Sequence, residues 1–204
     1  APDWEGMTAF ITTKCPIVLK LHGSDTYFCD LEKRKQKKIN KFYEQLAIKR
    51  STSVISVSLF TAIQTKKLIG FKQPFVVIPN GIDVTRFTPK AEKNVDLILY
   101  FGTLIRKKGV LELPLIFNKV VQQNKNAKLI LIGKDAGDIL TANNSVWQMM
   151  QPLFEEEALK NVQYLGEKPY VEIINYIEKA TICIFPTFAE AFPVSWLEAM
   201  AMQK

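Results

Sequence analysis

The sequence is poor in histidine and cysteine, and it has no long apolar run. A single His and three cysteines (Cys15, Cys29 and Cys183), none in a Cys-x-x-Cys pair, cannot build a zinc site of the usual spacing. Cysteines without such pairing fit a reducing compartment, with Cys183 a small core residue in the apolar run Thr181 to Phe185. No apolar stretch reaches the roughly 18 residues of a membrane helix, and no signal-peptide pattern opens the chain. The Gly-Lys-Ser/Thr of a Walker loop is missing, as are the dinucleotide fingerprint Gly-x-Gly-x-x-Gly and the Asp-x-Asp metal motif.

What is present is ordinary globular material: 204 residues, 48% hydrophobic and 23% charged, enough for one or two cores. The net charge of +7 suits an anionic ligand or surface, whether nucleotide diphosphate, nucleic acid or acidic lipid, and equally suits a solvated basic surface. No nucleic-acid-binding motif accompanies the charge, so no nucleic-acid partner is expected.

Short apolar runs recur at Ile17–Leu21, Val54–Val57, Phe75–Ile78, Val95–Phe101, Lys128–Ile132 and Thr181–Phe185. They are rich in Val and Ile, as strands buried on both faces of a parallel sheet are. Between them lie helical patterns at Leu31–Arg50, Phe60–Ile69, Val110–Gln122 and Tyr170–Lys179. In the first of these, Ile39, Phe42, Leu46 and Ile48 read as inward positions. Asn143–Leu159 reads as an extra helix interrupted near Pro152. This alternation predicts right-handed βαβ units and an α/β fold of two Rossmann-like domains.

The polar segment Phe87–Asn94 marks the domain boundary, giving residues 1–89 and 90–204. The chain begins at Ala1 rather than Met and ends at Lys204 directly after the helical run Val194–Met202. It is therefore expected to be a piece of a longer protein, with both domains incomplete and exposed sheet edges open to association.

In open α/β sheets, ligands sit beyond the carboxyl ends of the strands. After Phe101 comes Gly102-Thr-Leu-Ile-Arg-Lys-Lys-Gly109, a loop with three cations before a helix. Such a loop can hold phosphate through amides, helix dipole and ammonium charge, or it can be a solvated turn. After Phe185, Pro193 suits a helix's first turn, where the amides of Val194 and Ser195 would face an anion. Glu198 follows one turn later on that face, and its two oxygens can accept from a sugar diol. Glu190 lies in the preceding loop. Both glutamates have a plainer reading as surface acids. His22, in Leu21-His-Gly-Ser-Asp25, either serves a sugar hydroxyl or is an ordinary packed or exposed histidine. Asn80-Gly81 needs no role beyond a turn. Lys33 to Lys41 holds six cations in nine residues, a solvated helix face or one that lies on an anionic bilayer.

Taken together these residues resemble the retaining nucleotide-sugar glycosyltransferases of family 4, also called group 1, which have the GT-B fold. The matching pieces, in order, are Leu21-His-Gly-Ser-Asp25, Val57-Ser58 with Thr61, Ile78-Pro-Asn-Gly-Ile-Asp83 with Arg86-Phe87, Gly102 through Lys108-Gly109, Tyr164-Leu-Gly166, and Glu190 with Glu198 before Ala-Met-Ala. The resemblance implies that Lys108 binds the donor diphosphate and Glu198 the ribose hydroxyls. It implies that Glu190 contacts the transferred sugar and that His22 reaches toward it from the other domain. Gly102, Thr103, Arg106, Leu165, Val194 and Ser195 complete the implied donor site. Thr103 stands where the family usually carries a phosphate-binding Arg, which makes Arg106 the candidate replacement. Ala191 and Pro193 replace common glycines, and Pro193 removes one amide donor.

The implied reaction is retaining transfer of a hexose-type sugar from a UDP- or GDP-sugar to a saccharide or lipid-linked acceptor, without metal or other cofactor. The implied setting is surface polysaccharide or glycoconjugate assembly in the cytoplasm, with peripheral contact to the inner membrane face through Leu31–Arg50. The rival readings are a non-catalytic nucleotide-sugar-binding fragment and a nucleotide-sugar epimerase of similar fold.

Overall fold

The computed structural model describes residues 14–70, 74–89 and 96–204. It divides into two compact units, one of residues 1–80 with 190–193, the other of residues 81–189 with 194–204. The domain limit expected between residues 89 and 90, and most of the polar segment assigned to it, border on or fall within residues 90–95, outside the described residues.

In the first unit, β1 (Val18–Leu21), β2 (Ser53–Ser56) and β3 (Phe75–Val77) form a parallel sheet in the order β1-β2-β3. Leu19 pairs with Val54, and Val54 with Phe75. The connections are α1 (Asp25–Leu31) and α2 (Lys38–Arg50) between β1 and β2, and α3 (Leu59–Ile69) between β2 and β3. The core is small: Leu21, Ile48 and Val54, with Leu19, Ile69 and Phe75 packed against them. Strands buried on both faces were expected, yet Val18 in β1 and Val76 and Val77 in β3 are exposed. Both strands flank β2 and have only one sheet neighbour among the described residues.

The single helix expected over Leu31–Arg50 is two helices separated by residues 32–37. That stretch is almost entirely charged, so it offers no apolar face for a helix to bury. The inward face of α2 also differs from expectation. Ile48 is buried, but Ile39 is 48% and Phe42 56% exposed, and the other buried positions are Glu44 and Ala47. The rotation follows from Glu44. Its carboxylate accepts from the amides of Asp25 (3.0 Å) and Thr26 (3.1 Å) and from Thr26 Oγ1 (2.6 Å). A carboxylate at the positive end of α1 satisfies orphan amides and complements the helix dipole.

In the second unit, β4 (Leu97–Phe101), β5 (Lys128–Ile132), β6 (Val162–Tyr164) and β7 (Ile182–Cys183) form a parallel sheet in the order β6-β5-β4-β7. Side chains alternate between two cores, as the period of two requires. Tyr100, Leu129 and Leu131 join Leu113, Phe117 and Met150 on one face. Leu99, Phe101 and Ile132 join Ile177, Ala199 and Met202 on the other. The first face is covered by α4 (Leu113–Gln123) with the broken helix α5 (Val146–Met150) and α6 (Glu156–Leu159). The second is covered by α7 (Tyr170–Lys179) and α8 (Val194–Ala201). The result is a doubly wound α/β sheet with both faces buried, as the apolar runs predict. Burial pushes the Cys183 thiol up to about 12.

Candidate functional site

Parallel strands place the loops that follow them at one edge of the sheet. In the second unit, β4 and β5 run into Gly102 and Gly133, both with positive φ, and β6 ends two residues before a third such glycine, Gly166. Their backbones are laced together: Gly102 N–H donates to Ile132 O (2.8 Å) and Gly133 N–H to Gly166 O (2.9 Å). A Cβ on Gly133 would lie 2.1 Å from Gly102 O, so only glycine allows this approach. Lys108 turns back over the same place, its Nζ 3.4 Å from where a Cβ of Gly102 would sit.

The loop after β7 is bonded to the loop after β4. Phe188 N–H donates to Lys107 O (3.1 Å), as does Thr187 Oγ1 (3.3 Å). Gly109, with φ of 67°, closes the first loop, and a Cβ there would lie 1.9 Å from Pro186 O. Thr103 turns its carbonyl to the Tyr100 hydroxyl (3.0 Å). Arg106, the candidate replacement cation, forms a two-point pair with Asp138, Nε to Oδ1 and Nη2 to Oδ2, both 2.8 Å. Arg106 therefore clamps the loop after β4 to the segment after β5. The guanidinium, with further bonds from Thr141, holds the buried Asp138 carboxyl well below the usual carboxylate range.

Beside β6, Tyr164 donates to Gly133 O (2.8 Å), and its ring meets that of Trp147 at a tilt, centroids 5.2 Å apart. The amide of Trp147 and the hydroxyl of Ser145 both donate to Asp135. Leu165 follows, half-buried, its N–H donating to Leu131 O (2.9 Å).

Val194 and Ser195 open α8, Val194 exposed and Ser195 half-buried. Glu198 lies one turn further and is only 6% exposed. Its Oε1 accepts from the Tyr170 hydroxyl at 2.7 Å. The Arg86 guanidinium lies 5.1 Å from the centroid of the Tyr170 ring. Burial and the Glu198 carboxylate push the Tyr170 phenol up to about 12, so it is a neutral donor at ordinary pH. Tyr170 carries no motif, and its partner is 28 residues away, so pattern reading does not find it.

His22 and Glu190 belong to the first unit. His22 is exposed at the carboxyl end of β1. Its loop is fixed by Ser24, whose Oγ accepts from Tyr27 N–H (3.1 Å), and by the Glu44 cap on the next two amides. Glu190 is half-buried, in the segment 190–193. That segment is held by Asn80, whose Nδ2 donates to Phe192 O (2.8 Å), a task beyond the turn read from Asn80-Gly81. Ser58 and Thr61 form a helix cap: Ser58 Oγ accepts from Thr61 N–H (3.2 Å) and donates to Thr61 Oγ1 (2.9 Å).

Comparison with known proteins identifies the family and the fold. The sequence model of the Glycosyl transferases group 1 family matches residues 82–204, and that of Glycosyltransferase Family 4 matches residues 1–86. A protein of Bacillus subtilis named for teichuronic acid biosynthesis, the glycosyltransferase TuaC, is 24% identical over 205 residues, covering 94% of this chain and 46% of TuaC. Sucrose-phosphate synthase from Thermosynechococcus elongatus superposes with a TM-score of 0.79 at 20% identity, over 98% of this chain and 51% of that one. Alr3699/HepE of Anabaena, in complex with UDP and glucose, does so at 0.75 and 19% identity, over 98% and 54%. The chain thus spans about half the length of the relatives it matches.

Proposed function

The chain belongs to the Glycosyl transferases group 1 family, and on that premise we propose that the protein carrying it moves a hexose-type sugar from a nucleotide-diphosphate sugar to a saccharide or lipid-linked acceptor, with retention at the anomeric carbon. The observation that carries the reading is the bond between the loops after β4 and β7. It brings the loop of Lys108 and the loop leading to the Glu198 helix to one edge of the sheet, where α/β folds bind nucleotides.

In this reading Lys108 and the amides of Val194 and Ser195 at the start of α8 take the diphosphate. They stabilise the charge that builds on it as the sugar–oxygen bond breaks, which is preorganised electrostatic catalysis. The acceptor hydroxyl forms the new bond on the face the diphosphate leaves, and its proton passes to the departing diphosphate oxygen. Glu198 accepts from the ribose, Tyr164 and Leu165 border the base, and Glu190 and His22 serve the transferred sugar. Arg106 acts on the loop through Asp138, so Lys108 carries the phosphate charge that Thr103 does not. UDP- or GDP-sugars are the proposed donors; TuaC and Alr3699/HepE, by their names and contents, support a glycan product and a uridine donor.

We also propose a cytoplasmic setting with peripheral contact to an anionic membrane through the outer face of α2. Exposed Ile39 and Phe42 there sit among exposed Lys37, Lys38 and Lys41. Among the described residues no helix is long and apolar enough to cross a membrane.

The reaction test is proton NMR of the product made by the intact protein. The donor's own anomeric configuration is expected in the product. The opposite configuration overturns retention, and conversion of the donor sugar without acceptor points to epimerisation instead.

A further inference from the structure

We infer that Tyr170 is a positioning residue for Glu198, its hydroxyl presetting the carboxylate in the orientation that receives the donor ribose. This rests on the donor-site reading above.

Glu198 has three side-chain torsions, and an unheld carboxylate has to be ordered when ligand arrives, at a cost in affinity. Here the ordering is already done. Tyr170, the first residue of α7, donates to Oε1 at 2.7 Å, and among the described residues it is the one side-chain donor to Glu198. Glu198 is only 6% exposed, and its helix and the residue after it pack on the second-face core through Ala199 and Met202. A charge-assisted bond to a desolvated carboxylate is among the stronger hydrogen bonds. The ring is itself placed by the Arg86 guanidinium over its face. Arg86, Tyr170 and Glu198 thus form a chain from the start of the second unit to α8, all within that unit. The phenol engages Oε1, and Oε2 is the oxygen assigned to a ligand hydroxyl.

The test is calorimetric titration of the intact protein and its Tyr170→Phe variant with UDP, GDP and their 2′,3′-dideoxy analogues. Phe keeps the ring and the Arg86 contact and removes only the donor. The wild type is expected to prefer the ribonucleotide. Tyr170→Phe is expected to weaken ribonucleotide binding by about 3- to 10-fold, the worth of one hydrogen bond, and to leave the dideoxy analogue unchanged. In a Glu198→Gln background the same change is expected to leave the preference where it stands, because the carboxylate it acts through is gone. A ribose preference kept in full, or increased, by Tyr170→Phe overturns the inference alone. A wild type that binds the diphosphate with no ribose preference overturns the role of Glu198 and the inference with it.

Discussion

Arg106 and Asp138, 32 residues apart, meet in a two-point ion pair with both contacts at 2.8 Å. The pair ties the loop that carries Lys108 to the segment after β5, and the Asp138 side chain is almost fully buried while that of Arg106 is 38% exposed. The Asp138 carboxyl is held below its ordinary value, so its contribution to stability is present above the unfolded pKa of about 4 and lost as pH falls below it. Asp138→Asn is expected to lower stability at pH 7 by about 1–3 kcal/mol, discounted for the exposed guanidinium. Thermal melts from pH 7 to pH 3 check this: the gap between wild type and variant is expected to narrow below about pH 4.

Glu44 is a buried acid that caps a helix rather than a reactive one. Glu44→Ala is expected to cost about 1–3 kcal/mol, because it leaves amides at the start of α1 without an acceptor. Urea unfolding measures it. Amide exchange at Asp25 and Thr26 is expected to rise in step.

Gly109 lets the loops after β4 and β7 touch, and a Cβ there meets Pro186 O. Gly109→Ala is expected to separate them and to weaken nucleoside diphosphate binding by about 10-fold or more, beyond the roughly 1 kcal/mol expected from a strained positive φ. Binding titration beside a melt separates the two effects. Unchanged affinity would mean that the contact does not shape the site.

The outer face of α2 gives a membrane prediction. Ile39→Ser with Phe42→Ser is expected to reduce co-sedimentation with vesicles containing anionic phosphatidylglycerol. It is expected to leave the melting temperature close to wild type, because both side chains are exposed. Equal sedimentation of wild type and variant, or none by either, contradicts a lipid-facing role for this helix.

Much of the second unit is legible in the sequence. The run Lys128–Ile132 is β5 and the pattern Tyr170–Lys179 is α7, residue for residue. The first is an unbroken apolar run after Lys128, packed on both faces, and the second sets Ile173, Ile174 and Ile177 on one face toward the core, so pattern and packing agree. The helix pattern over Leu31–Arg50 misleads because its most decisive inward residue is an acid. Glu44 turns α2 by its hydrogen bonds, and Ile39 and Phe42 are carried outward. The strand β6 is too short and polar to stand out as a run. At the site, ordered motifs mark Asn80, Lys108, Glu190 and Glu198, but not the long-range bonds the fold gives them. Asn80 acts on Phe192 across 112 residues, and Tyr170 acts on Glu198 across 28. Such bonds are created by the fold and leave no local spacing to read.

We propose above all that the second unit binds a nucleoside diphosphate through Lys108 and Glu198. The most direct measurement is the melting temperature of the intact protein with UDP, GDP and ADP, repeated for Lys108→Ala and Glu198→Gln. A ligand at 100 times its Kd stabilises by about 2.7 kcal/mol. A clear rise is expected with one of these nucleotides, abolished by Lys108→Ala and reduced by Glu198→Gln. No rise with any of them, or a rise that both variants retain, contradicts it.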